Sequence, residues 1–232
     1  MTIFVGDTDR PGGAPRASVA SVLAVSMRQF AIAARVLVGM TVILGVLYPL
    51  LIWGFAQVAV PGRANGSLVT GPSGTVVGST LVGQQFTGPQ WFWPRPSVAG
   101  AGYDAMASGG SNLAADSPAL RATIADRRAA LAAANHVAPS AIPPDAVTAS
   151  ASGLDPDISP AYALVQVDRI AAARGVPAAT VRQLVVDHVQ GKAWGFIGQS
   201  TVNVLQLNLA LEKLDPAKLA PESLAPAKVG GT

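Results

Sequence analysis

From Val36 to Val60 the chain runs VLVGMTVILGVLYPLLIWGFAQVAV, 25 residues without a charged side chain. A helix of that length covers about 38 Å, against a bilayer hydrocarbon core of about 30 Å, so it can span a membrane with some tilt. Arg35 and Arg63 bracket the run. A cleaved signal peptide has an apolar core of about 7–15 residues followed by a small-residue cleavage site. This run is longer and is aromatic towards its end, at Tyr48, Trp53 and Phe55. The pattern therefore predicts one retained transmembrane helix over residues 35–60. Pro49 sits mid-span, removes one backbone hydrogen bond and predicts a kink.

After the span the pattern changes. Residues 61–103 are rich in Gly, Pro, Ser and aromatics. Val76, Val77, Leu81 and Val82 predict short strands, and Trp91-Phe92-Trp93 predicts another. Ser117-Pro118 then opens a helix, with Ser as N-cap and Pro at the first helical position. Its stripe is Leu120, Ile124 and Leu131, with Arg127 on the same face, and Asn135 ends it. Ser159-Pro160 repeats the start signal; Leu164, Val167 and Ala171 form the stripe and Gly175 stops the helix. Val181, Leu184, Val185 and His188 recur at helical spacing on a third helix. Residues 203–214 alternate like a strand, yet Leu, Ala, Glu and Lys favour helix. Asn203 as N-cap decides for helix.

The expected fold is thus α+β: a single N-terminal transmembrane helix followed by one mixed α+β soluble domain. Residues 1–34 read as a flexible N-terminal extension, because Pro11, Gly12, Gly13 and Pro15 break any early periodicity. Residues 61–214 form the domain. Residues 215–232 carry three prolines and no amphipathic face, and read as a C-terminal tail.

Charge sets the orientation. Arg16, Arg28 and Arg35 lie on the N-terminal side of the span, and only Arg63 lies close on the other. The N-terminus is then cytoplasmic and the main domain extracytoplasmic. The chain holds 16 basic and 13 acidic residues, without a basic cluster. Nucleic-acid binding needs clustered Lys and Arg to neutralise phosphates, so it is not expected. With no cysteine, composition neither favours nor opposes an oxidising compartment.

Catalytic patterns are missing. His136 and His188 form no metal pair, and no His-Glu-x-x-His occurs. Gly191-Lys192-Ala193 lacks the upstream glycine and the Ser/Thr of a phosphate-binding loop. Gly100-Ala101-Gly102 lacks the third glycine of a dinucleotide loop, and no Gly-x-Ser-x-Gly elbow is present. Neither catalytic residues nor a metal site are expected. Two polar stretches stand out instead. In Ser108-Gly109-Gly110-Ser111-Asn112-Leu113 the paired glycines permit positive φ and can gather backbone N–H groups into a concavity for an anion or a partner's carbonyl. The same residues also suit a plain turn entering the Ser117 helix. Thr148 to Pro160 combines small side chains with Asp155 and Asp157, which can close turns; two carboxylates are too few for a cation site.

These stretches carry a resemblance. Gly45-Val46-Leu47-Tyr48-Pro49-Leu50-Leu51, Ala64-Asn65-Gly66-Ser67-Leu68, Gly83-Gln84-Gln85-Phe86, Arg95-Pro96-Ser97, Ser108 to Leu113, Thr148 to Pro160, Val202 to Leu205 and Leu207 to Leu211 follow one another in order. Gln166, Arg169, Ala173 and Arg174 add a Gln-x-x-Arg-x-x-x-Ala-Arg spacing. From about residue 36 to 214 the chain resembles the KdpC family, the C subunits of Kdp-type potassium-transporting ATPases. It departs in Pro94, where the family usually has Gly, in Asp157, and in its longer N-terminal extension.

The resemblance implies a non-catalytic subunit of a high-affinity ATP-driven potassium uptake complex in the bacterial inner membrane. Its implied partners are the channel-like A subunit and the P-type ATPase B subunit. It implies no cofactor of the chain's own, with ATP entering through the complex. Two roles are attributed to the family. One is a catalytic chaperone that raises the B subunit's ATP affinity, with Ser108, Gly109, Gly110, Ser111 and Asn112 as nucleotide contacts. The other is an extracytoplasmic cap on the A subunit. A stand-alone membrane-anchored envelope binding protein or enzyme is the alternative, and would call for a nucleophile–base pair.

Overall fold

The computed structural model describes residues 19–214. Residues 1–18, and the tail expected over 215–232, lie outside the described residues. The chain divides after Pro61 into two compact units.

The first unit is helical. Helix α1 (Val19–Val42), a π-helical turn (Ile43–Leu47) and helix α2 (Tyr48–Ala59) follow without a break. Val19–Ala34, assigned above to the extension, is helical in the structure. It contains no Gly or Pro and is rich in Ala, the strongest helix former, with Leu23, Met27, Arg28 and Gln29 also favouring helix. Ser26–Ala59 is long and apolar enough to cross a membrane, and none of it is buried within the chain. The irregularity expected from Pro49 takes the form of the π turn. Proline has no N–H to donate and its ring crowds the carbonyl four residues back. The widened turn, in which the Tyr48 N–H reaches Ile43 O, accommodates that one step earlier.

The division falls within a single helical turn, α3 (Pro61–Ala64), which is followed in the second unit by a hairpin of β1 (Leu68–Thr70) and β2 (Val76–Ser79). The hairpin is antiparallel, pairing Leu68 with Ser79, and its register shifts between Val69 and Thr70. Leu81 and Val82, expected in a strand, lie in the turn after β2.

Helix α4 (Pro118–Asn135) starts where the capping signal put it: Ser117 Oγ accepts from Leu120 N. It ends in His136, left-handed at φ 53°. Arg127 Nη1 donates to Val147 O at 3.2 Å and ties α4 to the short helix α5 (Pro144–Val147). Beyond strand β3 (Asp157–Ile158), Ser159 caps helix α6 (Pro160–Val165) by accepting from Tyr162 N. The helix breaks at Gln166 and resumes as α7 (Val167–Arg174), which Gly175 ends at φ 64°. Val167 and Ala171 are buried as expected. Leu164 is exposed, and Tyr162, Ala163 and Ile170 face the core instead.

Helix α8 (Ala178–Asp187) buries Val181 and Val185, and His188 caps its end, with Nδ1 donating to Leu184 O at 2.8 Å. Strands β4 (Val189–Gln190) and β5 (Thr201–Asn203) complete an antiparallel sheet in the order β3-β5-β4. Asn203 closes β5 and also caps helix α9 (Val204–Leu214): its Oδ1 accepts from Gln206 N at 3.1 Å. Residues 204–214 are therefore helical, as the cap predicted, while Asn203 itself ends β5. The core gathers Trp91, Phe92, Ile158, Tyr162, Val167, Ile170, Val181, Val185, Val202, Leu207 and Leu211.

Trp91-Phe92-Trp93 is not a strand. Trp91 and Phe92 are buried and Trp93 half-buried, but the segment joins no sheet and its backbone pairs with side chains. Phe92 N donates to Asn208 Oδ1 at 2.9 Å and Asn208 Nδ2 returns a bond to Phe92 O at 3.0 Å. Trp93 N donates to Gln166 Oε1 at 2.7 Å, and Gln166 Nε2 donates to Trp93 O at 3.1 Å. Arg169 Nη1 donates to Pro89 O and Trp91 O, and Arg174 Nε to Gln90 O. Five consecutive carbonyls thus meet donors from α7, from α9 and from the α6–α7 junction. Both guanidiniums also stack on indoles, Arg169 at 3.7 Å from the Trp93 centroid and Arg174 at 4.7 Å from that of Trp91. Burial lowers the Arg169 pKa to about 10, so it remains charged at neutral pH.

Removing one amide strands two buried backbone groups at about 1–3 kcal/mol each. Asn208→Ala is therefore expected to lower the denaturant midpoint of the full chain in detergent strongly. Gln190→Ala, which loses only an exposed 3.4 Å contact to Gln206, is expected to shift stability by less than about 0.5 kcal/mol.

Candidate functional site

The polar stretches singled out in the sequence come together around one loop, Ser150–Gly153. Gly109 N donates to Ser152 O at 2.9 Å, and Ser108 Oγ to the same carbonyl at 3.0 Å. Ser97 Oγ donates to Gly153 O at 2.6 Å and accepts from Ala99 N and Tyr103 N. Tyr103 Oη donates to Arg95 O, and burial pushes its phenol pKa well up. Gly83 N donates to Leu154 O at 2.7 Å on another side of the stretch.

Glycine is needed where backbones touch. A Cβ on Gly153, itself at φ 67°, would lie 2.6 Å from Gly109 O and 2.9 Å from Ala99 N. A Cβ on Gly83 would lie 2.6 Å from Asp155 O, and one on Gly110 3.1 Å from Ala151 O. The two glycines of Ser108–Leu113 do not use the positive φ that the sequence offered them; that conformation falls on Asn112, at φ 52°. Ser108 Oγ and Gly109 N are taken up by Ser152 O, although Ser108, like Ser111 and Asn112, is exposed. Of the five residues expected as a site, the first three dock on Ser150–Gly153 and the last two face solvent.

Beside this junction lies an open cleft of about 580 Å³, lined among others by Arg95, Asp145, Asp155, Asp157, Ser159 and Thr201. Each carboxylate in it is engaged. Arg95 Nη1 meets Asp155 Oδ2 at 2.7 Å, and Arg95 Nη2 reaches Thr148 O at 3.3 Å. Asp155 Oδ1 accepts from Asp157 N at 3.0 Å. Asp145 accepts from both Ser159 N and Ser159 Oγ, at 2.7 and 2.9 Å. Asp157 accepts from Asn203 Nδ2 at 2.9 Å and from Thr201 Oγ1 at 3.4 Å. Desolvation raises the Asp157 pKa, the Asn203 bond opposes the rise, and the nearby Asp155 charge adds to it. Among the described residues no group of His, Cys, Asp and Glu is arranged to hold a metal ion. The Ser159 hydroxyl that meets Asp145 is also the N-cap of α6, where it accepts from Tyr162 N. The junction fixes loops against one another. Asp145 was not legible in the sequence, because its partner Ser159 lies 14 residues away with no periodic signal between them.

The family model described as "KdpC: K+-transporting ATPase, c chain" matches residues 30–213. The chain belongs to the KdpC family. It is 53% identical over 173 residues to the potassium-transporting ATPase KdpC subunit of Kineococcus radiotolerans, covering 75% of this chain and 87% of that one. The corresponding subunit of Caulobacter vibrioides is 54% identical over 176 residues, covering 76% and 88%. That of Geobacter sulfurreducens is 45% identical over 191 residues, covering 82% of this chain and all of the relative. In this KdpC chain, Gly83, Ser97 and Ser108–Gly110 from the stretches that carried the resemblance meet at Ser150–Leu154, and Gln166, Arg169, Arg174 and Asn208 meet at the Phe92–Trp93 clamp.

Two outcomes test the packing. Gly153→Ala should cost about 1–3 kcal/mol of stability through backbone strain. Gly109→Ala, with no atom within 4 Å of the added Cβ, should be nearly silent. Thermal melts of the two variants check both.

The raised Asp157 pKa carries a sign. Between the ordinary carboxylate value and the raised one, the folded chain holds a proton that the unfolded chain has released. Stability therefore falls as pH rises through that window and recovers on acidification. Asp157→Asn keeps an acceptor for Asn203 and should flatten this part of the slope in urea titrations run across pH.

Proposed function

We propose that this chain is the C subunit of an ATP-driven potassium uptake complex. It is a non-catalytic element that joins the channel-like A subunit to the P-type ATPase B subunit. Family membership carries the reading, and the relatives named above are themselves potassium-transporting ATPase subunits. The fully engaged side chains around Ser150–Gly153 support it: they suit a rigid docking body better than a reaction centre. The chain is read as single-pass in the bacterial inner membrane. The Arg16, Arg28 and Arg35 asymmetry supports a cytoplasmic N-terminus and an extracytoplasmic domain.

In this reading the chain raises the ATP affinity of the B subunit by linkage. A subunit that binds one conformation of its partner better stabilises that conformation, and with it any ligand that prefers it. Direct nucleotide contact at Ser108–Asn112 is the stronger form of the proposal. It would fall on Ser111 and Asn112, which are exposed, since Ser108 Oγ and Gly109 N already bond Ser152 O.

The test combines assembly, topology and kinetics. The tagged chain is expected to co-purify a potassium-stimulated ATPase, whose apparent KM for ATP rises several-fold when the chain is omitted. A single cysteine at Met106 should react with an impermeant thiol reagent in intact cells, and one at Ser18 should not. Linkage predicts that Ser111→Ala with Asn112→Ala leaves that KM unchanged. Direct contact predicts that the pair raises it. Failure to co-purify any ATPase would overturn the reading in favour of a stand-alone envelope protein.

A further inference from the structure

Between β4 and β5 the chain runs Gly191-Lys192-Ala193-Trp194-Gly195-Phe196-Ile197-Gly198. Ala193 N donates to Ile197 O at 2.9 Å and Ile197 N to Ala193 O at 3.0 Å, while Gly195 N donates to Lys192 O at 3.1 Å. These bonds make a tight tip whose backbone is largely satisfied from within. Trp194, Gly195 and Gly198 lie in the left-handed region, at φ 51°, 83° and 85°. A tryptophan there is held against its own preference.

The side chains are turned outward. Trp194 is 85% exposed, Phe196 73% and Ile197 47%. Scattered apolar residues on a surface are ordinary, but two aromatics and an isoleucine on one ordered tip form a patch with a use. None of the chemistry described above touches it.

Three observations point to a bilayer as what covers it. The chain carries a helix long and apolar enough to cross a membrane. Only residues 60–67 separate the end of α2 from β1, at most about 29 Å of extended chain, so the domain is confined to the neighbourhood of a membrane surface. The tip also has the chemistry of an interfacial segment. Trp prefers the headgroup level, Lys192 can extend its amine to lipid phosphates, and no acidic residue lies between Asp187 and Glu212 to repel an anionic leaflet. Its internal hydrogen bonds lower the cost of leaving water for the backbone.

We propose that Lys192–Ile197 is an interfacial anchor that seats Trp194 and Phe196 in the headgroup region of an anionic phospholipid bilayer. With the N-terminal helix it gives the chain two attachments to the membrane. The proposal rests on anchoring by that helix and is independent of the role in potassium transport.

The absence of cysteine makes the test direct. Phe196→Cys, Met106→Cys and Leu50→Cys variants of the full chain each carry one environment-sensitive dye, in phosphatidylcholine–phosphatidylglycerol vesicles. The dye at 196 is expected to shift to shorter wavelength and to be quenched severalfold more by a shallow lipid nitroxide than by aqueous iodide. The dye at 106, where Met is 95% exposed, should show the reverse. Adding Lys192→Ala and Trp194→Ala should return the dye at 196 to water while leaving the dye at 50 lipid-quenched. A water-exposed dye at 196 beside a lipid-quenched dye at 50 overturns the anchor. So does protection at 196 that appears only when other subunits are added, which would make the tip a protein-docking element. A dye at 50 that lipid does not quench overturns the membrane reading of the helix and the anchor together.

Discussion

The domain depends on how one irregular segment, buried at Trp91 and Phe92, satisfies its peptide groups. Residues 89–93 pass from an exposed turn at Pro89 into the core at Trp91 and Phe92 without a neighbouring strand. A buried peptide group without a partner costs about 1–3 kcal/mol, and this segment presents several in a row. Gln166 and Asn208 supply amides with a donor and an acceptor at the spacing of a peptide group, so each pairs like one residue of a missing strand. Arg169 and Arg174 take the remaining carbonyls and cover the indole faces. The cluster is valuable only when complete, because a half-satisfied polar network is worse than an apolar one.

This clamp orders much of the second unit. Gln166 occupies the break between α6 and α7, where its side chain faces the clamped segment. Arg174 reaches Leu211 O at 3.4 Å as well as Gln90 O, and so ties α7 to α9. Arg169 Nε donates to Asn135 Oδ1 at 2.9 Å, which brings in the end of α4. At the far end of the small sheet, Asn203 plays a comparable part. It ends β5, caps α9 and reaches Thr80 O at 3.0 Å after β2. Polar side chains with paired donors and acceptors thus act as the joints between short elements. Strands of two to four residues could not hold the sheet by ladder bonds alone.

The loop junction follows the same logic at closer range. Small residues let backbones approach, and Gly83, Gly110 and Gly153 sit where a Cβ would collide with a carbonyl. Asp145, Asp155 and Asp157 each close a turn or cap by accepting backbone or side-chain donors. What results is a body stiffened by interlocked loops. That gives the KdpC chain a stiff surface around Ser150–Gly153.

Local features were legible in the sequence. The apolar run declared the long helix because a bilayer-length stretch without charge has few other uses. Ser117, Ser159 and Asn203 declared helix starts because a cap and its helix lie within three or four residues of each other. The order of short motifs declared the family. What the sequence alone left open depends on distant partners. Trp91-Phe92-Trp93 read as a strand because its composition is that of one. Its partners Gln166 and Asn208 lie 73 and 116 residues further on, and side-chain pairing leaves no periodic trace. Ser108–Leu113 read as a loop whose glycines permit positive φ. The fold uses Gly110 for close approach to Ala151 and the Gly109 N–H for a bond to Ser152 O, contacts visible only once the two loops are brought together. Sequence determined where the capped helices start and that the apolar run is helical, because caps and hydrophobic spacing act over a few residues. The tertiary structure decided what each polar residue is for, because that depends on which unpaired group the fold brings within hydrogen-bond reach.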